Sequence, residues 1–365
     1  MQLPAEFQQL ETLAPALISR ATQWFSSNRE ARTMIQERPG LIPVQVTGDG
    51  RVLWADVGEY VFTEWKFRNS VAAAAAGEDV VAFSTDVDLL MEEALAVESL
   101  PPAGFIFQVS RCGSTLLARS LARSLDNCVI NEASPLHEGL WRVVTDGWRE
   151  DAALTDAHVT LLRNLIGCLG RRRSAAQRRL FVKFRSWNVV FMRAIRRAFP
   201  DVPALFIYRD PAEVLVSALA REPFGYSRLK GTPASAYILG ITAEESAAMD
   251  GLSFHAAMNA AYMIAAMRQG DAPITFVNYE QLRRETLGEL LAAAFGYTPS
   301  REQLILMRDQ FEFYSKDEQE STRFASDRAR KRLLITPAVL RVVERDLARL
   351  YEAAERVSPN FRLYG

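Results

Sequence analysis

The stretch FIFQVSRCGSTLLARSLARSL (105–125) contains a short polar turn between an apolar run and a helical pattern. Gly113 permits close backbone approach, Ser114 and Thr115 add hydroxyl donors, and Arg111 supplies a bidentate positive charge. The N–H groups at the start of a helix also favour a bound anion. Because the turn lacks the first glycine and the lysine of the usual loop G-x-x-x-x-G-K-[ST], it predicts an anion site other than one for magnesium triphosphate. A serine-capped strand-to-helix turn without a ligand is the alternative interpretation.

A second candidate anion site lies in YRDPAEVLVSALAR. Arg209 ends an apolar run, Asp210 is a predicted helix N-cap followed by proline, and Glu213 stands three residues after the cap. Ser217 and Arg221 are four residues apart and therefore share one face of the predicted helix. Guanidinium and hydroxyl groups in this arrangement suit a phosphate. The alternative is an amphipathic helix with an exposed arginine at each end.

The elements that position these residues follow a regular alternation. Five apolar runs are separated by helical stretches, and they occupy residues 105–110, 127–131, 180–184, 202–208 and 273–279. This pattern predicts a P-loop-like, three-layer α/β/α fold with a central, mainly parallel sheet of about five strands. Ligands of such sheets bind at the carboxyl ends of the strands, where polar residues of this chain also lie.

The first hundred residues differ from the remainder. An amphipathic helix is predicted over 7–27, and a hairpin is predicted over 41–57 around an Asp49-Gly50 turn. The segment STDVDLLMEEALA predicts a helix, capped by Ser84 or Asp86, that ends before a double proline at 101–102. We therefore predict an accessory α+β unit over 1–100 and an α/β domain over 101–365.

Composition excludes several classes of function. The chain has 365 residues, 49% of them hydrophobic, and a formal net charge of −1, so no global basic field favours nucleic acid or an anionic membrane. No apolar run approaches the ~20 residues of a membrane span, and no secretory signal is recognisable. Three cysteines and three histidines give no disulfide framework or zinc motif. We expect a soluble, cytoplasmic protein without a metal, and the oligomeric state stays open.

The stretches FQVSRCGSTLLARSLA, YRDPAEVLVSALAR and VNYEQL, in this order, resemble sulfotransferases that use 3'-phosphoadenosine 5'-phosphosulfate, particularly bacterial members and tyrosylprotein sulfotransferases. The resemblance covers roughly residues 104–297. It implies that the co-substrate's 5'-phosphosulfate binds to four residues of the first turn: Arg111, Gly113, Ser114 and Thr115. It further implies four nucleotide contacts, the first three near the 3'-phosphate: Arg209, Ser217, Arg221 and Tyr279.

The same resemblance implies the catalytic groups. Glu132, in VINEASP, is similar to the general base of the tyrosylprotein type, and His137 is the second choice. Lys183, in FVKFRSW, resembles the lysine that, with Arg111, stabilises the transition state. A C-terminal segment over the 3'-phosphate is best matched by DRARKRLL, with its basic residues Arg328, Arg330, Lys331 and Arg332.

The implied reaction transfers a sulfuryl group to a hydroxyl or amine of a small-molecule or peptide acceptor. The acceptor itself cannot be identified from the sequence. An ATP-dependent small-molecule kinase and a non-catalytic nucleotide-binding scaffold remain as alternatives. The kinase needs a lysine in the phosphate loop, which this chain does not have there.

Overall fold

A computed structural model describes residues 28–76, 80–92, 95, 98–220, 228–268 and 274–359. The helix predicted over 7–27 and the site residue Arg221 lie outside these ranges.

Eight strands are present in the described part of the chain. Their bounds are β1 Leu41–Val46, β2 Arg51–Asp56, β3 Ala82–Asp86, β4 Pro102–Gln108, β5 Asn127–Asn131, β6 Arg179–Lys183, β7 Ala204–Tyr208 and β8 Ile274–Asn278.

The α-helices in the first half of the described chain are α1 Asn28–Glu37, α2 Phe67–Ala74, α3 Asp88–Met91, α4 Ser114–Ala122, α5 Glu138–Val144, α6 Asp156–Leu169 and α7 Met192–Ala198. Those in the second half are α8 Pro211–Leu219, α9 Pro233–Leu239, α10 Ala243–Ala248, α11 Gly251–Met267, α12 Leu287–Phe295, α13 Arg301–Asp309, α14 Arg328–Leu333, α15 Pro337–Asp346 and α16 Ala348–Val357. Short 3-10 turns span Ser134–Leu136, Ser186–Phe191, Tyr279–Gln281 and Gln310–Glu312.

The central sheet has five strands in the order β5-β6-β4-β7-β8. The pairs β5/β6, β4/β7 and β7/β8 are parallel. Strands β5 and β7 are buried along their whole length, as expected for a parallel sheet covered on both faces. The prediction of an α/β fold with five mainly parallel strands is therefore confirmed.

A second, antiparallel sheet has the order β1-β2-β3 and contains the predicted hairpin. Its turn includes Gly50 with a φ of 83°, a conformation that favours glycine. The helix predicted from Ser84 or Asp86 is wrong in its extent. Residues Ala82–Asp86 form β3, and the helix that follows has only four residues. Pairing with β2 overrides the helical pattern, and Trp54 Nε1 donates to Thr85 Oγ1 at 2.9 Å.

The chain forms two compact units. The first contains the described residues up to 103 together with 121–183 and 194–201. The second contains 104–120, 184–193 and the described residues from 202 onward. The boundary predicted at residues 100–101 stays a prediction. Within the described ranges, no helix has the length and apolar character that a membrane span requires.

In the second unit, the C-terminal helix α16 is anchored at the ends of two central strands. Glu355 accepts hydrogen bonds from the Tyr208 hydroxyl at the end of β7 and from Asn278 Nδ2 (2.7 Å) at the end of β8. Tyr351 packs edge-on against Tyr208, with ring centroids 5.7 Å apart. The pKa of Tyr208 is raised, mainly by burial and next by the hydrogen bond to Glu355. These contacts fix the strand ends from which Arg209 and Tyr279 follow.

Candidate functional site

The turn after β4 is organised by Gln108, the last residue of that strand. Its side chain is buried, its Nε2 donates to the Phe184 carbonyl at 3.2 Å, and its Oε1 accepts from the Ser114 hydroxyl. Cys112 Sγ points into the same interior and donates to the Val109 carbonyl at 2.9 Å. The Ser114 hydroxyl is therefore directed at the strand. The N–H groups at the start of α4, as at any helix start, remain suited to an anion.

Gly113 lies against the ring of Tyr279. A Cβ atom at this position would lie 2.7 and 2.8 Å from two ring carbons, and the φ of Gly113 is +85°. The neighbouring Arg111 also has a positive φ, 64°, which is uncommon for a residue with a side chain. The predicted need for glycine in this turn has a physical basis, because both conformation and space exclude a side chain.

The helix start after β7 has the predicted geometry. Asp210 caps α8 by accepting from the N–H groups of Ala212 (2.8 Å) and Glu213 (3.2 Å), and a proline occupies the first turn. Arg209 precedes this cap, is 7% exposed, and places its guanidinium 4.1 Å from the centre of the Tyr279 ring. Stacking on the ring and burial fix the guanidinium at the end of β7.

The two predicted anion sites meet through one hydrogen bond. Arg111 Nε donates to the Ser217 hydroxyl at 2.8 Å, although the residues are 106 positions apart. Ser217 is buried on α8, two turns into the helix that begins after Arg209. The structure thus brings Arg111 and Ser217 together. The resemblance assigned them to opposite ends of the nucleotide.

The C-terminal segment contributes two further cations. Arg328 Nε donates to Glu213 Oε1 at 3.0 Å, and Lys331 pairs with Asp327 at 3.0 Å. Burial lowers the pKa of Lys331, and the positive charges of Arg209 and Arg111 lower it further. The oxygen Asp327 Oδ1 that pairs with Lys331 also lies 4.0 Å from Nη2 of Arg209, so one carboxylate joins these two cations. We call Arg111, Arg209, Arg328 and Lys331 the cationic cluster.

The cationic cluster suits phosphate chemistry. Planar guanidinium groups match phosphate oxygens in pairs, and a hydrogen bond to a charged group contributes about 1.5–3 kcal/mol. Burial strengthens such contacts because solvent screens them less. A cluster with three arginines and a lysine can therefore bind a polyanionic ligand without a metal ion.

The first unit contains an ion pair at the end of β6, in which the lysine is buried and the glutamate is half-buried. Lys183 is 1% exposed and its Nζ donates to Glu132 Oε1. Glu132 follows β5 with a φ of 55°, and its N–H donates to the Lys183 carbonyl at 2.8 Å. A buried ammonium requires a compensating charge, and Glu132 supplies it. The predicted base and the predicted transition-state lysine are thus in direct contact.

The remaining predicted residues lie in varied surroundings. Thr115 is half-buried in the first turn of α4, and His137 is the residue that precedes α5. Arg330 and Arg332 of the C-terminal run are exposed. In the described part of the chain, no group of three or more His, Cys, Asp or Glu residues is arranged to hold a metal ion.

The sequence did not predict the roles of two residues of the site, Gln108 and Glu213. Gln108 was detectable as a polar residue within an otherwise apolar strand, FIFQVS. Glu213 was interpreted as part of a helix start, but its side chain binds Arg209 and Arg328. Nothing local in the sequence indicates the second of these partners.

No known family model and no curated protein matches this sequence. Similar solved structures are sulfotransferases. A sulfotransferase domain from the curacin biosynthetic pathway is 15% identical, with a TM-score of 0.38, covering 68% of this chain and 98% of that one. A sulfotransferase from Alicyclobacillus acidocaldarius is 17% identical, with a TM-score of 0.35, covering 70% and 99%. One from Mycobacterium tuberculosis H37Rv is 16% identical, with a TM-score of 0.37, covering 68% and 77%.

Proposed function

We propose that this chain is a sulfotransferase that uses 3'-phosphoadenosine 5'-phosphosulfate as donor and a hydroxyl or amine as acceptor. The observation that carries the proposal is the cationic cluster, in which Arg111 and Arg209 follow two neighbouring parallel strands. A nucleotide with phosphates on both sides of its ribose is a polyanion of the kind that four clustered cations can neutralise. Arg111, Gly113, Ser114 and Thr115 bind the 5'-phosphosulfate in this proposal, and Ser114 does so through its backbone N–H because its hydroxyl donates to Gln108.

Arg209 and Ser217 bind the 3'-phosphate, with Arg328 and Lys331 of the C-terminal segment beside them. Tyr279 contacts the nucleotide, and it also supports the guanidinium of Arg209. Arg221 is proposed for the same phosphate from the sequence alone.

The catalytic roles follow from the chemistry of the Lys183–Glu132 pair. Glu132 accepts the proton of the acceptor group as the bond between sulfur and the acceptor oxygen or nitrogen forms. Protonation removes the negative charge of Glu132 and so weakens its hold on Lys183. The ammonium of Lys183, together with Arg111, then stabilises the charge that grows on the bridging oxygen as the donor's S–O bond breaks. The other product is 3'-phosphoadenosine 5'-phosphate.

Titration calorimetry with 3'-phosphoadenosine 5'-phosphate tests the donor assignment. We expect binding to the unmodified chain and a loss of at least tenfold in Arg209→Gln, because a charged hydrogen bond of about 1.5–3 kcal/mol is removed. The matched control is Arg341→Gln, an exposed arginine on α15, which should leave the affinity unchanged. Absence of binding, or equal binding by both variants, refutes the donor assignment. Magnesium-dependent binding of ATP that is tighter than the binding of 3'-phosphoadenosine 5'-phosphate favours the alternative function, an ATP-dependent kinase.

Release of labelled sulfate from the donor, which measures transfer to water, tests the catalytic groups before an acceptor is known. Lys183→Met should lower this rate with little change in nucleotide affinity. Glu132→Gln should lower transfer to an acceptor hydroxyl once one is identified. Full turnover by Glu132→Gln would place the base elsewhere, with His137 the next candidate.

A further inference from the structure

Glu213 lies between two arginines of the cationic cluster. Its Oε2 accepts from Nε (2.8 Å) and Nη2 of Arg209, and its Oε1 accepts from Nε of Arg328 at 3.0 Å. The side chain of Glu213 is 3% exposed. Arg332 Nε lies 3.9 Å from the same Oε1, at the edge of ion-pair distance. A single buried carboxylate thus engages Arg209 with one oxygen and Arg328, its nearer partner, with the other.

A buried carboxylate is unexpected beside a site for anions, because it repels the ligand. The position of Glu213 in α8 does not explain the buried carboxylate either. The N–H groups at the start of α8 are capped by Asp210, and the side chain of Glu213 takes no part in that cap. The contacts of Glu213 therefore serve the arginines.

Those contacts join distant segments of the chain. Arg209 directly follows β7 of the central sheet, whereas Arg328 is the first residue of α14, 115 residues after Glu213. Arg328 also pairs with the exposed carboxylate of Glu280. Without Glu213, two guanidinium groups of like charge would stand close together, and Arg209 would keep only the longer contact of Nη2 with Asp327 Oδ1 (4.0 Å) and the stacking on Tyr279 among the contacts described above.

We propose that Glu213 is a positioning residue that holds Arg209 and Arg328 in the geometry needed to bind the 3'-phosphate of the nucleotide. This inference rests on the proposed function. Arg209 carries five N–H groups, and Glu213 accepts from two of them, at Nε and Nη2. The Nη1 group takes no part in these two hydrogen bonds and is proposed to face the phosphate. The repulsion between carboxylate and phosphate is outweighed because a fixed guanidinium pays no further ordering entropy when the ligand binds.

The test compares 3'-phosphoadenosine 5'-phosphate with adenosine 5'-phosphate, which lacks the 3'-phosphate. Glu213→Gln should weaken binding of the first nucleotide by about 10- to 100-fold and of the second by less than about threefold. The ratio of the two affinities is a readout that a purely structural role would not change selectively. An unchanged ratio, or tighter binding of the bisphosphorylated nucleotide, overturns the inference.

Glu280→Gln is the matched control, since Glu280 pairs with Arg328 and is exposed. It should leave the affinity ratio within about threefold of the unmodified chain. Glu213→Asp keeps the charge but shortens the side chain, so it should give an intermediate ratio. If Glu213→Gln does not fold, Arg328→Gln provides the test, because Arg328 is 39% exposed and its change leaves the Glu213–Arg209 pair intact.

Arg328→Gln should reduce the affinity for the bisphosphorylated nucleotide about 3- to 10-fold, and no reduction overturns the inference. The double variant with Glu213→Gln should lose less affinity than the product of the two single losses, because both changes remove the contact between Glu213 and Arg328. The outcomes separate the two proposals. If the unmodified chain does not bind the bisphosphorylated nucleotide, the proposed function fails. If it binds and Glu213→Gln keeps the ratio, only the role of Glu213 fails.

Discussion

Replacing Gly113 with alanine is the sharpest test of how the turn after β4 depends on its surroundings. The added Cβ would lie 2.7 Å from a ring carbon of Tyr279, and the φ of +85° is unfavourable for alanine. Left-handed backbone costs a residue with a side chain about 1–2 kcal/mol. Carbon atoms pack at about 3.5–4.0 Å, so the ring must retreat by about 0.8 Å or more.

A retreating Tyr279 ring moves away from the guanidinium of Arg209, which now lies 4.1 Å from the ring centre. Such a contact contributes about 0.5–2 kcal/mol. We therefore expect Gly113→Ala to lower the free energy of unfolding by about 1.5–4 kcal/mol and to weaken binding of 3'-phosphoadenosine 5'-phosphate by about 2- to 30-fold. Denaturant unfolding measures the first effect, and calorimetry measures the second.

Gly296→Ala is the control, because Gly296 has a φ of +60° and no atom within 4 Å of its would-be Cβ. It should show the backbone cost of about 1–2 kcal/mol alone, with unchanged nucleotide binding. If both alanine variants lose the same stability and both bind the nucleotide normally, the contact between Gly113 and Tyr279 does not position the site.

Three further predictions concern single residues. The pKa of Lys331 is lowered in the free chain, and a bound phosphate favours its protonated form. Nucleotide affinity should therefore fall as pH rises through that lowered pKa. Calorimetry at a series of pH values should show this fall in the unmodified chain and not in Lys331→Arg. Burial raises the pKa of Cys168 from 9.0 to about 12, so its stability contribution is complete below pH 9 and is lost toward pH 12. Between pH 9 and pH 12 the free energy of unfolding, measured with denaturant, should therefore fall with pH less steeply in Cys168→Ala than in the unmodified chain. The expected difference is about 1.4 kcal/mol per pH unit. Asp210→Ala removes the cap of α8 and should cost about 1 kcal/mol in the same assay, and an unchanged midpoint would contradict the role of the cap.

The central sheet was predictable because each of its strands corresponds to a continuous apolar run in the sequence. Strand β5 coincides with NCVIN, and the other four differ from their runs by a few residues at the ends. The cap at Asp210 was predictable for the same reason, since it depends on residues within one helical turn. Strand β3 was missed because its conformation depends on pairing with β2, about thirty residues earlier.

The candidate site was predictable in its residue types but not in its contacts. Arg111, Arg209 and Lys183 follow or end apolar runs, which marks them as residues near the carboxyl ends of strands. Their partners are far away in sequence, as the hydrogen bond from Arg111 to Ser217 illustrates. The pairing of Glu213 with Arg328 could not be predicted for the same reason. A sequence pattern gives the spacing of residues along the chain but not which distant segments lie next to each other in the fold.

The backbone at Arg111 provides a final test of whether its side chain is retained for function. Its φ of 64° makes any residue other than glycine costly, by about 1–2 kcal/mol. The side chain of Arg111 donates to Ser217, and a hydrogen bond of this kind has a net contribution of about 0.5–1.5 kcal/mol. Glycine and alanine both remove the contacts of this side chain, so Arg111→Gly should be more stable than Arg111→Ala by about 1 kcal/mol, while both lose nucleotide affinity. Greater stability of the alanine variant in denaturant unfolding would contradict the strained backbone, and retained affinity in both would remove Arg111 from the binding site.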